Sequence, residues 1–343
     1  MAMRSMHASA LGTSTSVLRA RSRRWTTARA LKRVFIDGEA GTTGLQVRER
    51  LAGRRDVELI QLSDAMRKDA EARKDALNAC DAAILCLPDA AAIEAVALVE
   101  NAATVIIDAS TAFRVADGWT YGFAELAPGH RDAVRNSKRI SNPGCYPTGF
   151  IALTRPLVDA GILAPGSAIT VNAVSGYTGG GKALIKVYEE EEHEPWGAYG
   201  FNLDHKHLPE MAKWSKLGRE PIFMPSVGSF PQGMVVSVPL HYDQLAADGR
   251  SAKRLHECLL ERYAGSTFVS VRDLNKTDDL ERGAFMRPDS LANTNKLELS
   301  VYANDSKKTA VLVARLDNLG KGASGAAVQN MNLALGLEET SGL

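Results

Sequence analysis

The chain has 343 residues, enough for two domains of ordinary size, and its 41 basic residues nearly cancel its 40 acidic ones. Such a balance gives no electrostatic reason to expect nucleic acid or an anionic membrane as a partner. No apolar run approaches the roughly 20 residues that span a bilayer, and the four cysteines lack both a CxxC pair and metal-ligand spacing. The composition predicts a globular, cytoplasmic protein without a metal site.

The first 30 residues have a composition of their own, with several arginines, many Ser, Thr and Ala, and no acid. Three interpretations remain open, namely an organellar transit peptide, a disordered tail, and a start codon placed too far upstream. The lack of an apolar core in this segment argues against a secretory signal. We treat residues 1–31 as an extension and expect the folded part to begin at Lys32.

Residues 32–107 alternate short apolar, β-branched runs with helix-forming stretches. The pattern predicts strands at 34–36, 57–62, 82–87 and 104–107, with helices at 43–54 and 89–101. Strands that alternate with helices over short loops indicate βαβ units and a parallel sheet.

A glycine series, Gly38, Gly41 and Gly44, follows the first predicted strand and opens the first helix. Glycines in this context let the backbone approach a pyrophosphate, which then lies at the helix N-terminus. Thr42 and Thr43 add hydroxyls beside it. The strand–loop–helix setting favours dinucleotide binding over a merely structural turn.

The end of the second strand indicates which dinucleotide binds. An acid at this position normally holds the ribose hydroxyls of NAD, and Asp64 suits that role. Ser63 and Arg67 suit the 2′-phosphate of NADP instead, with Lys68 next to them. We expect NADP, while exposed charges without a ligand remain the alternative.

Ser110 and Arg114 follow the fourth predicted strand. This is the end of a parallel sheet at which ligands bind, and a hydroxyl and a guanidinium are good phosphate donors. We expect a phosphate group here.

Cys145 lies in the sequence Ser-Asn-Pro-Gly-Cys-Tyr-Pro-Thr, residues 141–148, between a strand and a helix. A cysteine near a helix N-terminus is expected to have a lowered thiol pKa and N–H groups that can hold an oxyanion. Cys86 and Cys258 are expected in the core, and Cys80 has no reactive context. Cys145 is therefore the candidate nucleophile.

The second half of the chain is richer in strands, predicted at 167–174, 234–241, 297–303 and 309–316, before a last helix at 322–335. Runs of strands indicate an antiparallel or mixed sheet in an α+β domain. The glycine-rich loop at 174–182 begins with the donors Ser175 and Gly176.

His205 and His207 are the candidate bases for thiol chemistry. If the segment is extended, the two imidazoles point to opposite sides, so that only one reaches Cys145. Surface histidines remain the alternative, and a metal site is disfavoured because the cysteines cannot supply further ligands.

Together these motifs resemble the N-acetyl-gamma-glutamyl-phosphate reductase family, in its shorter variety, within the semialdehyde dehydrogenase superfamily. The resemblance runs from about Lys32 to Leu337 in the expected order, and its most specific element is the Pro-Gly-Cys-Tyr-Pro-Thr string. The other segments that carry it are 37–44, 108–114, the His-Lys-His-Leu-Pro-Glu run from His205, and 317–323. Residues 1–30 have no counterpart in the family pattern.

The resemblance implies a thioester mechanism in arginine biosynthesis. Cys145 attacks N-acetylglutamyl 5-phosphate, NADPH reduces the thioester, and His205 acts as acid/base with His207 in reserve. Substrate ligands are then expected among Ser110, Arg114, Asn142, Ser175, Gly176 and His207. Asn318 and the Gly320 loop are expected beside the nicotinamide.

The resemblance also implies a domain plan and an assembly. A Rossmann-like domain comprises residues 32–146 with the returning helix at 318–337, and a catalytic and oligomerisation domain comprises residues 147–317. A homotetramer or homodimer is expected.

Three other functions compete with this one. The first is a sibling reductase of aspartyl phosphate or of a carrier-bound aminoadipyl phosphate, with the same nucleotide domain and Cys–His pair. The others are a cysteine hydrolase or acyltransferase without a nicotinamide cofactor, and a non-catalytic NADP-binding sensor.

Overall fold

The structure, a computed structural model, describes Met1 and residues 31–343. The predicted extension therefore lies outside the described residues, apart from Met1 and Leu31. Residues 31–343 form one unit. No helix in this described part is long and apolar enough to cross a membrane.

The first half of the unit builds a six-stranded, all-parallel sheet in the order β2-β1-β3-β4-β6-β5. Its elements in chain order are β1 (Lys32–Asp37), α1 (Thr42–Leu51), β2 (Val57–Ile60), α2 (Ala70–Ala79), β3 (Ala82–Leu85), α3 (Asp89–Ala97), β4 (Val105–Asp108), β5 (Thr120–Tyr121), α4 (His130–Asn136) and β6 (Arg139–Ser141).

This sheet confirms the predicted parallel α/β class. Strands β3 and β4 are buried along their whole length, because helices cover both faces of the sheet. The predicted strands and helices all form, with ends that differ by a few residues. The pattern does not predict α2, which Asp69 caps by accepting the backbone N–H of Ala72 at 2.8 Å.

The second half builds a seven-stranded sheet in the order β11-β12-β13-β10-β7-β9-β8. Its elements are α5 (Cys145–Asp159), β7 (Thr170–Gly176), α6 (Gly181–Glu190), β8 (Trp196–Ala198), α7 (Leu208–Trp214), β9 (Ile222–Gly228), β10 (Met234–His241), α8 (Ala252–Tyr263), β11 (Val269–Val271), β12 (Leu297–Asn304), β13 (Thr309–Leu316) and α9 (Gly325–Ala334).

The second sheet is mixed, which confirms the predicted antiparallel or mixed sheet. β7–β9 and β11–β12 pair parallel, and the other neighbours pair antiparallel. Helices α5 and α8 pack on one face and share its apolar core. Strand β9 is not predicted from the sequence, although it carries alternating buried and exposed residues.

The last helix returns to the first sheet. α9 packs against α1, α4, β3 and β4, and contributes Ala327, Val328 and Met331 to the same core as Val34 and Ile36. The predicted helix at 322–335 forms with a start three residues later, since residues Gly320–Ser324 form a π-helical turn before α9. The turn places the end of β13 beside the start of α5.

Candidate active site

The candidate active site has two cavities. The first, of about 610 Å³, lies at the carboxyl ends of β1 and β2 beside Gly38 and is called the loop cavity. The second, of about 500 Å³, is lined by Cys145, His205 and His207 and is called the thiol cavity. Among the described residues no group of three or more His, Cys, Asp or Glu could hold a metal ion.

The loop cavity begins at a turn that requires glycine. Gly38 has a φ of +85°, and a Cβ added there would lie 2.3 Å from the carbonyl oxygen of Cys86. The N–H of Gly41 donates to the carbonyl of Gly38 at 2.9 Å, and α1 begins directly afterwards. The loop leaves room for a pyrophosphate at this helix N-terminus.

The other predicted cofactor residues of this loop lie in the first turn of α1. Thr42 and Thr43 are its first two residues and are half-buried, while Gly44 is buried. A Cβ on Gly44 would lie 2.5 Å from the carbonyl oxygen of Gly38, so the helix packs directly on its own loop. These positions remain cofactor predictions.

Most charges of the loop cavity are paired with each other. Arg73 bonds the buried carboxylate of Asp37 at 2.8 Å, and Arg67 lies 3.4 Å from Asp64. Lys68 lines the cavity without a hydrogen bond or ion pair in the described part of the chain. Ser63 is exposed and forms the turn that brings Arg67 back, since its carbonyl accepts the Arg67 N–H at 2.9 Å.

Cys145 is the first residue of α5 and faces the thiol cavity. Burial raises the pKa of its thiol to about 11, although the Arg114 guanidinium and the Tyr146 N–H oppose this. The expected lowering of the thiol pKa is therefore wrong, because desolvation of a thiolate outweighs the favourable charges. The thiol needs a base to become a nucleophile.

His205 and His207 lie together, with ring centroids 4.7 Å apart, and both line the thiol cavity. The expectation that the rings point to opposite sides is wrong, because the segment turns into α7 and His207 has the helical angles φ −88° and ψ −9°. Burial lowers the pKa of His205 to about 4 and that of His207 well below its usual range. Both rings are neutral at pH 7.

The two neutral rings differ in their hydrogen bonds. The His207 N–H donates to Nδ1 of His205 at 3.1 Å, so the proton of the neutral His205 ring is on Nε2. Nε2 of His207 lies against the residue before the nucleophile, since a Cβ on Gly144 would be 2.8 Å from it. The Arg114 guanidinium lowers the pKa of His207 further.

Glu210 holds this part of the site together and is not predicted from the sequence. It is buried in α7 and accepts hydrogen bonds from Arg114 at 2.6 Å, Tyr121 at 2.9 Å and the N–H of Gly144 at 3.1 Å. Its only signal in the sequence is its place in the His-Lys-His-Leu-Pro-Glu run.

Three predicted substrate ligands lie behind the cavity wall. Arg114 also donates to the carbonyls of Asn142 and Ala109, and the Ser110 hydroxyl donates to Asp108 at 2.7 Å. The Asn142 amide donates to the carbonyl of Ala323 at 2.9 Å. All three side chains are buried, and their contact with substrate remains a prediction.

Ser175 and Gly176 line the thiol cavity, as their prediction requires. The structure adds wall residues that sequence reasoning missed. These are Tyr146, Leu184, Tyr188, Glu194, Gly197, Ala198, Tyr199, Lys206 and Val227. The hydroxyl of Tyr199 donates to that of Tyr146 at 3.3 Å, although no local sequence signal identifies Tyr199.

The segment after β13 closes the site from the other side. A Cβ on Gly322 would lie 2.8 Å from Cβ of Cys145, so the two backbones are in contact. Asn318 accepts the N–H of Gly233 at 2.8 Å, and Gly320 packs under Thr294. Neither Asn318 nor Gly320 lines either cavity, and their place beside a nicotinamide remains a prediction.

Family models match both halves of the chain. The model described as semialdehyde dehydrogenase, NAD binding domain matches residues 33–134, and the model described as semialdehyde dehydrogenase, dimerisation domain matches residues 145–318.

Among known proteins, N-acetyl-gamma-glutamyl-phosphate reductase of Trichormus variabilis is 50% identical over 319 residues, covering 91% of this chain and 99% of that protein. Aspartate semialdehyde dehydrogenase II from Vibrio cholerae shares the fold with a TM-score of 0.67 at 18% identity, covering 89% of this chain and 99% of that one. Aspartate semialdehyde dehydrogenase with NADP from Candida albicans matches with a TM-score of 0.59 at 14% identity, covering 89% and 98%.

Proposed function

Since this chain belongs to the N-acetyl-gamma-glutamyl-phosphate reductase family of semialdehyde dehydrogenases, we propose that it reduces N-acetyl-L-glutamyl 5-phosphate to N-acetyl-L-glutamate 5-semialdehyde and phosphate, a step of arginine biosynthesis. One observation carries the chemistry. Cys145, at a helix N-terminus, shares a cavity with two neutral imidazoles. A thiol and a base in one cavity are what acyl transfer requires.

Cys145 is the nucleophile. Its sulfur forms a C–S bond with the acyl carbon while the C–O bond to phosphate breaks. The resemblance implied His205 as the acid/base with His207 in reserve, but Nε2 of the neutral His205 ring already carries its proton. The thiol proton therefore passes to His207, whose Nε2 lies against Gly144, and then to the departing phosphate. Both imidazoles have low pKa values without substrate, and a phosphate dianion beside them raises these values again.

His205 stabilises the negatively charged oxygen of the tetrahedral intermediates. Because Nδ1 accepts the His207 N–H, Nε2 carries the proton and donates a hydrogen bond to the oxygen that becomes negative. When this oxyanion collapses after reduction, the C–S bond breaks and the aldehyde leaves. The Cys145 thiolate then takes up a proton from solvent.

The cofactor is NADPH, which when bound supplies the hydride that reduces the thioester. The loop cavity fits such a group, because the Gly38 turn excludes any Cβ and opens onto the N-terminus of α1. Thr42 and Thr43 would lie beside the pyrophosphate. Ser63 and Arg67 would hold the 2′-phosphate, with Lys68, which forms no ion pair within the described residues, as a further cation.

The substrate lies along the thiol cavity. Ser175 and Gly176 form one wall, and Leu184 and Val227 supply apolar surface for the methyl of the acetyl group. Ser110, Arg114 and Asn142 form the polar floor behind Cys145 on the phosphate side.

The enzyme acts as a homodimer or homotetramer. The seven-stranded sheet is covered by helices on one face, and its other face exposes Ile222, Met224 and Val311. An uncovered apolar sheet face favours association, and the matching family model carries the description dimerisation domain. A single mass equal to one chain in light scattering at micromolar concentration would contradict this assembly.

We place the reaction in the cytoplasm. A reducing compartment suits the four free cysteines, which include the nucleophile. Organellar targeting by residues 1–30 is the competing location. A fluorescent fusion to the full chain and one that begins at residue 31 distinguish the two, since only targeting makes their distributions differ.

The activity is tested in the reverse direction of the reaction, as oxidation of the aldehyde. Purified protein receives NADP⁺, inorganic phosphate and N-acetylglutamate 5-semialdehyde, and NADPH absorbance is followed. Cys145→Ser is expected to abolish phosphate-dependent NADPH formation, while Cys258→Ser, a matched change in the core, retains it. Aspartate semialdehyde is the substrate control, and equal rates with both aldehydes would overturn the acetylated substrate.

A further inference from the structure

Lys206 lies in the thiol cavity, and none of the proposed catalytic steps uses its charge. We propose that Lys206 binds the phosphate group of the acyl phosphate and retains it as it leaves, an inference that rests on the proposed function. Its side chain lines the cavity together with Cys145, His205 and His207. It is exposed and has no hydrogen bond or ion pair within the described residues.

The charge balance of the cavity supports this role. Among the described side chains that line it, Lys206 is the only lysine or arginine and Glu194 the only acid. The two imidazoles are neutral, because burial lowers the pKa of each. A phosphate dianion that enters this cavity needs a cation, and Lys206 supplies one.

The buried Arg114 cannot supply the full charge by itself. Its Nη1 lies 2.6 Å from the Glu210 carboxylate, which offsets its charge, and its Nε and Nη2 donate to backbone carbonyls at 3.0 and 3.2 Å. The Ser110 hydroxyl is likewise engaged, by Asp108. These side chains form a fixed polar floor, so the uncompensated charge has to come from elsewhere.

The position of Lys206 suits contact with the departing phosphate. Its charge lowers the pKa of the Cys145 thiol and that of the Asp89 carboxyl at the start of α3. The ammonium charge therefore acts on both the nucleophile and the Asp89 carboxyl. A lysine ammonium is a compact charge on a flexible stem, so it can follow phosphate from the covalent bond towards solvent.

The experiment separates phosphate binding from the redox step. Aldehyde and NADP⁺ without phosphate give a burst of NADPH as the thioester forms, and turnover then needs phosphate. Lys206→Met is expected to retain the burst and the KM for aldehyde within about twofold, while its KM for inorganic phosphate rises at least tenfold. Lys186→Met removes an exposed charge from α6 near the same cavity and is the control, with an unchanged phosphate KM.

The outcomes that overturn the proposal are distinct. An unchanged phosphate KM in Lys206→Met overturns it, and so does a rise confined to the aldehyde KM, which would assign the ammonium to the substrate carboxylate. If the wild type shows no burst, the proposed function fails. Calorimetric titration of the wild type and Lys206→Met with inorganic phosphate then still decides the point, since equal affinities overturn the proposal and a tenfold weaker affinity supports it.

Discussion

The carboxylate of Glu210 accepts the backbone N–H of Gly144 at 3.1 Å, one residue before the nucleophile Cys145. Its other oxygen lies 2.6 Å from Nη1 of Arg114. Helix α7, which also carries the turn with His205 and His207 at its start, is thereby tied to the loop that presents the thiol. One buried acid thus sets the distance between nucleophile and imidazoles.

Glu210→Gln is expected to increase the reactivity of Cys145 while lowering turnover. The Glu210 charge raises the thiol pKa and the Arg114 charge lowers it. Loss of the carboxylate therefore lowers this pKa, and alkylation by iodoacetamide at pH 8 rises roughly three- to tenfold, since one pKa unit is a tenfold change in thiolate fraction. Glu194→Gln, an exposed acid of the same cavity, is the control. Slower alkylation of Glu210→Gln would contradict the electrostatic account.

The pH profile of Cys145 alkylation tests the burial of the thiol. Burial raises the thiol pKa to about 11, so the rate should climb through pH 9 and 10 without a plateau. At pH 8 only about one thiol in a thousand is ionised, because this pH lies about three units below the thiol pKa. Subtracting the rate of Cys145→Ser removes the contribution of the other cysteines. A plateau near pH 7 would show a thiol activated in the resting enzyme.

The sequence predicts those parts of the site whose signals are local. Strands β10 and β13 form at the predicted residues, because β-rich apolar runs of eight residues have little alternative. The bond between Glu210 and Gly144 joins residues 66 positions apart, so no local pattern contains it. The thiol pKa is predicted in the wrong direction for the same reason, since it depends on how deeply tertiary packing buries the helix end.

Gly322→Ala is expected to impair catalysis more than cofactor binding. The added Cβ would lie 2.8 Å from Cβ of Cys145 and 3.1 Å from the carbonyl oxygen of Asp317, so one of the two segments must shift. Overpacking of this kind costs roughly 1–3 kcal/mol of stability. We expect kcat to fall more than tenfold, with NADP⁺ affinity by fluorescence titration within about twofold. Unchanged kcat would show that the thiol tolerates displacement.

The buried ion pair of Lys321 and Glu125 anchors the π-helical turn that carries Gly322. The Lys321 ammonium lies 2.9 and 3.0 Å from the two Glu125 oxygens and donates to Gln329 at 2.7 Å. Both charged side chains are almost fully buried. Lys321→Met leaves a buried carboxylate without its partner, which costs about 3–5 kcal/mol, whereas Lys321→Met/Glu125→Gln is expected to recover much of this.

The pH dependence of stability distinguishes this charge effect from lost packing. In the wild type Lys321 helps hold the pKa of Glu125 below its usual value, so the pair stabilises the fold above the unfolded pKa, and this contribution is lost as pH falls. In Lys321→Met the burial of Glu125 outweighs the remaining hydrogen bonds from Gln329 and the backbone and raises the Glu125 pKa, so this contribution to stability falls as pH rises through 5 to 8. Urea unfolding at pH 5 and pH 8 measures how the free energy of unfolding changes with pH in the wild type and in Lys321→Met. If Lys321→Met loses the same unfolding free energy relative to the wild type at both pH values, the methionine packs poorly and the buried charge is not the cause.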